Sequence, residues 1–195
     1  MAISLVKGQK ISLEKESGGG LSKVVMGLGW DPAQKKKGFF SFLFSQKTEI
    51  DLDASCVLFD ENKKFVDVVF FGNLKTKDGT VVHTGDNLTG EGEGDDEQII
   101  VWLDKVAPSV KDIIFAITSY QGQTFNAIDN AFCRIVDARN NKELARYTLT
   151  GGGAYTAMIM AKIYRHQGEW KMSAIGEPAQ GKTILDLAPN ILRLL

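Results

Sequence analysis

The chain has 195 residues, of which 44% are hydrophobic and 24% are charged, and its formal net charge is −1. These values are typical of a globular protein and exclude disordered and fibrous classes. The near-zero charge also argues against a nucleic-acid binder, which usually carries a basic excess.

Alternating apolar residues and polar turns predict strands along most of the chain. The clearest is Glu49–Phe59, where Ile50, Leu52, Ala54, Cys56 and Leu58 fall on one face at a period of two. Antiparallel strands in such number predict a mainly β fold, a β-sandwich with a few short peripheral helices, built as one domain over residues 1–195. The other predicted strands are Ser4–Leu13, Lys23–Trp30, Lys64–Phe71, Gln98–Leu103, Asp112–Ser119, Asn130–Asp137, Leu144–Leu149 and Glu169–Ile175.

Two segments near the C-terminus are predicted to be helical. In Ala154–Tyr164, the spacing of the apolar residues fits a short amphipathic helix. Thr183–Leu194 is predicted as a closing helix with Leu185, Leu187, Ile191 and Leu192 facing inward.

The cysteines and the N-terminus indicate the compartment. Cys56 and Cys133 both lie in apolar stretches, which favours buried reduced thiols over a disulfide between them. The first residues lack the apolar core of a signal peptide, and no apolar run approaches the length of a membrane span. We therefore expect a soluble cytoplasmic protein.

An acidic, glycine-rich segment is the strongest functional signal. Residues 85–97 hold six carboxylates and four glycines but no basic residue. Carboxylates this close repel one another, and glycines cost backbone entropy when they are ordered. Calcium offsets both effects, because it takes 6–8 oxygen ligands and glycines let the backbone curl around it.

A second group of carboxylates lies on the strand Glu49–Phe59. Asp51 and Asp53 are two residues apart, so both project from one face while Leu52 and Ala54 enter the core. Asp31 is a further oxygen donor. These carboxylates exceed what one divalent ion needs, so the sequence predicts one or two Ca²⁺ ions. The candidate metal ligands are Asp31, Asp51, Asp53, Asp86, Asn87, Glu91, Glu93, Asp95, Asp96 and Glu97.

Other interpretations of these carboxylates were weighed. A solvated acidic loop is the plainest, but the glycine spacing and the paired aspartates on a strand count against it. Asp51-x-Asp53-x-Ser55 lacks the glycine and the distal glutamate of an EF-hand. Magnesium prefers few protein carboxylates and several waters.

Several stretches closely resemble the TerD family of tellurite-resistance and stress proteins. They are residues 27–31, 51–55, 83–97, 130–132, 143–147 and 164–171, so the resemblance covers nearly the whole chain. It implies a cytoplasmic calcium-binding β-sandwich, linked to resistance against tellurite, phage or other stress and without established enzymatic activity. The family's acidic motif falls on Asp51, Asp53, Asp86, Asn87, Glu91, Glu93, Asp95, Asp96 and Glu97. The insert after Asp31 resembles the TerZ subgroup, whereas the glycines at 151–153 replace acidic residues common among relatives.

Residues 176–183 literally match the phosphate-binding loop pattern GxxxxGK[ST]. The preceding strand alternates as an antiparallel strand does, and too little chain follows Thr183 to build a parallel sheet. The sequence therefore predicts neither a nucleotide nor a nucleic acid as partner.

The insert Lys35–Phe44 joins three lysines to four phenylalanines. It is either a strand after a basic turn or, because Phe39, Phe40, Phe42 and Phe44 cannot all face one core, a surface for a protein partner or a membrane. We expect protein partners, in part membrane-associated, to bind at Phe39–Phe44.

The sequence lacks the residue combinations that an enzyme active site requires. His83 and His166 are the only histidines, neither lies beside a nucleophile motif, and His83 is interpreted as a turn residue. The chain is therefore expected to act by binding and not as an enzyme. The alternative is a metal-dependent phosphoester hydrolase, since a cation held by the same carboxylates can activate water.

Overall fold

The computed structural model describes residues 2–32, 51–85, 95–149 and 152–195. Within these residues, twelve strands form two six-stranded sheets, which confirms the predicted β-sandwich. Sheet A has the order β1-β10-β9-β3-β7-β6 and sheet B the order β2-β12-β11-β8-β4-β5.

The strands have the following bounds. Sheet A contains β1 (Ile3–Ser4), β3 (Val24–Pro32), β6 (Val81–His83), β7 (Glu97–Val101), β9 (Ile128–Asp137) and β10 (Lys142–Thr148). Sheet B contains β2 (Lys10–Ser12), β4 (Asp53–Asp60), β5 (Phe65–Val69), β8 (Val110–Thr118), β11 (Ala157–His166) and β12 (Glu169–Ala179). The described pairings are antiparallel except for that of β1 with β10.

The main core lies between the two sheets. Leu52, just before β4, and Ala54, Cys56 and Leu58 within it all enter the core, as the alternation predicted, whereas Ile50 lies outside the described residues. Cys133 of β9 is buried in the same core, and both cysteines are free thiols, as expected. Burial raises the pKa of the Cys133 thiol to about 12, so it stays protonated at neutral pH.

Sheet B also carries a second apolar layer on its outer face. A 3₁₀ helix (Ile184–Leu187) and a helix α2 (Ala188–Ile191) lie on that face. The segment is therefore two short helical turns, not the continuous helix predicted for Thr183–Leu194. Its buried residues are Ile184, Leu187 and Ile191, whereas Leu185 and Leu192, predicted to face inward, are exposed.

The prediction of a helix over Ala154–Tyr164 is wrong, because most of this segment is strand β11. The two C-terminal helical turns cover the outer face of sheet B, so β11 is buried on both faces. Ile159 packs in the outer apolar layer and Met160 in the main core. A strand buried on both faces loses the alternation of polar and apolar residues and reads as a continuous apolar run.

The N-terminal residues connect the two sheets. β1 pairs with β10 in sheet A, and β2 pairs with β12 in sheet B. A short helix α1 (Leu13–Ser17) follows, in which the Ser12 hydroxyl accepts a hydrogen bond from the Lys15 amide and Gly18 ends the helix with a positive φ of 80°. None of the helices in the described ranges has the length and apolar character that a membrane span requires.

The sandwich has two different ends. At the turn end, short turns join β4 to β5, β9 to β10 and β11 to β12. At the acidic end lie longer connections, which join β3 to β4, β6 to β7, β8 to β9 and β10 to β11. Among the candidate metal ligands with described side chains, Asp51, Asp53, Asp95, Asp96 and Glu97 lie at this end.

Candidate functional site

Buried carboxylates from both sheets lie at the acidic end. Asp53 begins β4 in sheet B, Asp51 lies two residues before it, and Glu97 begins β7 in sheet A. Asp51, Asp53 and Glu97 are 9%, 4% and 2% exposed, respectively. The Ala54 amide donates a hydrogen bond of 2.5 Å to Glu97 Oε2, which links the two strands directly.

His83 supports Glu97 from the neighbouring strand β6. The Gly85 amide donates to His83 Nδ1 at 3.1 Å, so Nδ1 is an acceptor in this arrangement. His83 Nε2, 3.2 Å from Glu97 Oε2, is then the donor. The interpretation of His83 as a turn residue is wrong. His83 is the last residue of strand β6, and its side chain is buried where it faces Glu97.

Asp51 is contacted from the connection between β8 and β9. Gln121 Nε2 donates to Asp51 Oδ2 at 3.3 Å. Gln121 Oε1 in turn accepts from Gln123 Nε2, and Ser119 Oγ donates to Gln123 Oε1. Gln121 was not predicted as a site residue, because a polar turn gives no signal of what lies opposite it in space.

Asp95 has a different environment from the other predicted ligands. Arg134 on β9 donates to both of its oxygens, from Nε to Oδ1 at 2.6 Å and from Nη2 to Oδ2 at 3.0 Å. Gln98 Nε2 also donates to Oδ2 at 3.0 Å. Both oxygens of Asp95 therefore accept from side chains of the protein, which makes Asp95 a poor metal ligand.

The ion pair continues across sheet A. Arg134 Nη1 donates to Glu143 Oε2 at 3.1 Å, and Arg146 donates to both Glu143 oxygens. The hydrogen bond to Asp95 is the main cause that raises the pKa of Arg134. Arg146 in turn lowers the pKa of Glu143, with a smaller contribution from Arg134. Arg134 and Glu143 therefore keep their charges at neutral pH.

A glycine makes this ion pair sterically possible. Gly27 on β3 lies between Gln98 on β7 and Arg134 on β9 in the register of sheet A. A Cβ atom at Gly27 would lie 2.1 Å from Asp95 Oδ2. The Asp95 carboxylate therefore occupies the space that any other residue at position 27 would fill.

Asp96 is attached to β3 through its backbone and its side chain. Its amide donates to the Leu28 carbonyl at 2.9 Å, and the Trp30 amide donates to Asp96 Oδ2 at 2.8 Å. Asp95, Asp96 and Glu97 thus reach three different environments, namely Arg134, the β3 backbone and the core.

The remaining predicted ligands have no described side chains. Asp31 lies in β3 opposite Asp129, and only its backbone is described. Asp86, Asn87, Glu91 and Glu93 fall outside the described residues, as do Lys35–Phe44. Among the residues that are described, no group of three or more histidines, cysteines or carboxylates is arranged to hold a metal ion.

The segment that matches the phosphate-binding loop has another conformation. Gly176 lies inside β12, and Thr183 caps the 3₁₀ helix. Asp186 Oδ2 accepts hydrogen bonds from the Lys182 and Thr183 amides, both at 2.9 Å. The backbone amides that would bind a phosphate thus already bind a carboxylate.

An apolar pocket of about 300 Å³ lies away from the acidic end, on the outer face of sheet B. Its walls come from β4, β5 and the C-terminal helical turns, and Lys63 is its one charged residue. Lys63 Nζ donates to the Leu195 carbonyl at 2.8 Å. The pocket presents no carboxylate and is chemically separate from the candidate metal site.

The sequence was compared with known proteins. The family described as "TerD domain" matches residues 1–190. Tellurium resistance protein TerZ of Serratia marcescens is 47% identical over 190 residues, 97% of each chain. Stress response protein SCP2 of Bacillus subtilis is also 47% identical and covers 96% of this chain and 98% of its own. TerD of Serratia marcescens is 41% identical over 93% of each chain, which agrees with the predicted resemblance to the TerZ subgroup.

Two solved structures share the fold. A protein of unknown function, SAV2460, superposes with a TM-score of 0.68 at 22% identity, covering 85% of this chain and 94% of its own. A homologue of telluride resistance protein (TerD) from Streptomyces coelicolor A3(2) superposes with a TM-score of 0.64 at 24% identity, covering 85% and 95%. At these identities the likeness shows the fold alone.

Proposed function

The chain belongs to the TerD domain family, and from this premise we propose that it is a cytoplasmic calcium-binding stress protein of the tellurium-resistance type, which acts by binding and not by catalysis. The relatives it matches carry names of tellurium resistance and general stress response. The calcium site is our inference from the side chains of this chain.

The observation that carries the proposal is the burial of Asp51, Asp53 and Glu97 at one end of the sandwich. Transferring a carboxylate from water into a protein interior is costly unless its charge is compensated. The donors described at Asp51 and Glu97 include an amide side chain, a backbone amide and an imidazole. A hard divalent cation would supply the compensating charge, and carboxylate oxygens are its preferred ligands.

We assign the ligand set as follows. Asp51, Asp53, Asp96 and Glu97 come from the described part of the site. β6 ends at His83 and β7 begins at Glu97, both at this end, and the sequence between them contains further candidate oxygen donors. We retain one or two Ca²⁺ ions, and we reassign Asp95 to a supporting role because Arg134 binds both of its oxygens. The further donors are Asp31, Asp86, Asn87, Glu91 and Glu93.

The choice of calcium over magnesium follows from ligand number. Magnesium requires nearly ideal octahedral geometry and retains most of its waters, so it uses one or two protein carboxylates. Calcium accepts more oxygen ligands in irregular geometry. A site supplied by two sheets and a carboxylate-rich connection therefore suits calcium better.

Calorimetric titration and thermal melts test the calcium site. A ligand that binds only the folded state stabilises it by roughly 2.7 kcal/mol at a hundredfold excess over Kd. In a domain of this size, each kcal/mol shifts the melting temperature by about 2–4 °C, so calcium should raise it by about 5–10 °C per site. Asp53→Asn should abolish most of this shift.

The matched control for Asp53→Asn is Asp104→Asn, which removes an exposed carboxylate outside the candidate site. It should retain the full calcium response. If calcium and chelator give the wild type the same melting temperature and no heat of binding, the proposal is wrong.

The hydrolase alternative is tested on the same protein. Wild type incubated with a panel of phosphoesters should show no turnover with calcium or magnesium. Turnover that is lost in Asp53→Asn, together with a magnesium shift as large as that of calcium, would assign catalysis to the carboxylates instead.

The partner at Phe39–Phe44 remains a proposal that rests on sequence. Replacing Phe39 and Phe40 by serine should weaken calcium-dependent capture of the partner and leave the melting temperature nearly unchanged. Unfolding of this double variant would place the two rings in the core instead.

A further inference from the structure

We propose that Arg134 is a positioning residue of the calcium site, which acts through Asp95 to fix Asp96 against β3 and Glu97 against β4. This inference rests on the proposed function. Arg134 lies on β9 and binds Asp95 and Glu143, so the action proposed for it passes through Asp95.

The contacts form a continuous path. The Asp95 side chain is 1% exposed and that of Arg134 is 27% exposed, so the pair is largely removed from water. One residue later, the Asp96 amide binds the Leu28 carbonyl. Glu97 is the next residue and reaches the Ala54 amide in the other sheet. Fixing Asp95 over Gly27 thus fixes the start of β7.

Removing the guanidinium of Arg134 would free the start of β7. A buried carboxylate left without its ionic partner carries a large desolvation cost, and it relieves that cost by moving toward water. A movement of Asp95 that includes its backbone displaces Asp96 and Glu97, which follow it directly in the chain. The carboxylates of Asp96 and Glu97 would then lose their placement relative to Asp51 and Asp53.

Long-range electrostatics alone predicts the opposite effect. Arg134 is a positive charge near a cation site, so its removal would by itself strengthen calcium binding. Positioning predicts weaker binding in spite of this change in charge. The sign of the effect therefore separates the two explanations.

The experiment measures calcium affinity by calorimetry in Arg134→Met and Arg134→Lys. Outer partners that orient metal ligands typically contribute 10–100-fold to affinity, and we expect Arg134→Met to bind calcium at least 10-fold more weakly. Lysine keeps the charge but not the two-pronged geometry, so Arg134→Lys should lie between wild type and Arg134→Met.

Arg139→Met is the matched control. Arg139 binds both oxygens of the buried Asp137, but at the turn end of the same sandwich. Its loss removes an equivalent ion pair without touching β7, so calcium affinity should stay within about twofold of wild type. If the two methionine variants weaken calcium binding equally, the effect is general destabilisation and the inference is wrong.

A double variant tests the path through Asp95. In an Asp95→Asn background, Arg134→Met should have little further effect on affinity, because the two residues act as one unit. Amide hydrogen exchange in chelator gives a readout that does not depend on calcium. The Asp96 and Ala54 amides should exchange at least 10-fold faster in Arg134→Met and at the wild-type rate in Arg139→Met.

The outcomes are distinguishable. If wild type binds no calcium, the proposed function fails, while the exchange rates still decide whether Arg134 positions β7. If wild type binds calcium and Arg134→Met binds it as tightly or more tightly, or if exchange of the Asp96 and Ala54 amides is unchanged, the positioning role is wrong.

Discussion

The two ends of the sandwich treat carboxylates differently. At the turn end, Asp60 accepts hydrogen bonds from the Asn62 and Lys64 amides, and Asp137 accepts from Arg139, so each partner lies within four positions in the sequence. At the acidic end, Glu97 binds a backbone amide of the opposite sheet, and Asp95 binds an arginine two strands away.

This difference separates local from tertiary stabilisation. A turn that binds its own carboxylate forms when a few residues adopt the right dihedral angles. The acidic end exists only when both sheets are in register, since its contacts join β4, β6, β7 and β9. We infer that the turn end stabilises the scaffold, whereas the acidic end couples the scaffold to a ligand.

Glu97→Ala should have the largest effect. It leaves the Ala54 amide and the His83 Nε2–H without their acceptor, and an unsatisfied buried donor costs about 1–3 kcal/mol. We expect a loss of about 3 kcal/mol in the free energy of unfolding, measured by urea denaturation in chelator. Glu97→Gln retains an acceptor oxygen and should lose less. If Glu97→Ala lowered the free energy of unfolding less than Asp137→Ala does, the proposed difference between the two ends would be wrong.

Gly27→Ala sharpens the role of the Asp95 site. The new methyl group would displace the Asp95 carboxylate, and overpacking of this kind costs about 1–3 kcal/mol. In an Asp95→Ala background the methyl group has room, so Gly27→Ala should then cost much less. Chemical denaturation of wild type, the two single variants and the double variant measures this coupling. If the effects of the two substitutions on the free energy of unfolding are additive, the steric role of Gly27 is wrong.

Asp137→Asn tests the turn end through pH. Hydrogen bonds from Arg139 are the main cause that lowers the pKa of Asp137. The folded state therefore favours the ionised form, and the resulting stability is present above the ordinary Asp pKa of about 3.9 and is lost as pH falls through the lower folded value. The variant should be less stable than wild type at pH 7, and the difference should narrow below about pH 4.

The readout for Asp137→Asn is urea denaturation from pH 7 to pH 2, with calcium affinity measured at pH 7. Affinity should not change, because Asp137 lies at the opposite end from the site. A difference in stability that does not depend on pH would show that the ionised form of Asp137 contributes nothing.

Gln167→Asn should have the smallest effect, and it is favourable. Gln167 and Gly168 form the turn between β11 and β12, with φ values of 53° and 79°. Two consecutive positive φ angles are typical of a type I′ hairpin, in which asparagine is preferred at the first position. We expect a gain of a few tenths to about 1 kcal/mol with unchanged calcium affinity. Gln167→Val, measured in the same thermal melts, should instead destabilise.

Much of the fold could be predicted from the sequence because many strands are alternating or short apolar segments bounded by polar turns. The alternation over Glu49–Phe59 correctly placed Leu52, Ala54, Cys56 and Leu58 in the core. The error at β11 arose where alternation fails, since the C-terminal turns cover the second face of sheet B. The residues that cover this face lie far from β11 in the sequence, so a prediction from the residues around β11 does not include them.

The candidate site was predicted less well, for a related reason. Composition identified the carboxylates but could not separate Asp95 from Glu97, which are two positions apart. The separation depends on Arg134 and on the absence of a side chain at Gly27, both contributed by other strands. His83 next to Gly85 resembles a turn in sequence, and only its pairing with β7 shows that it faces Glu97.

The pairing of β1 with β10 and of β2 with β12 has a consequence for the order of folding. Each of these contacts joins positions separated by most of the described sequence, for example Ile3 with Ala145 and Ile11 with Met172. Contacts of such high sequence separation slow folding, because loop-closure entropy is lost before they form. On the ribosome, β1 and β2 must wait for their partners, so we expect each sheet to gain its last strand only after synthesis of the C-terminal third.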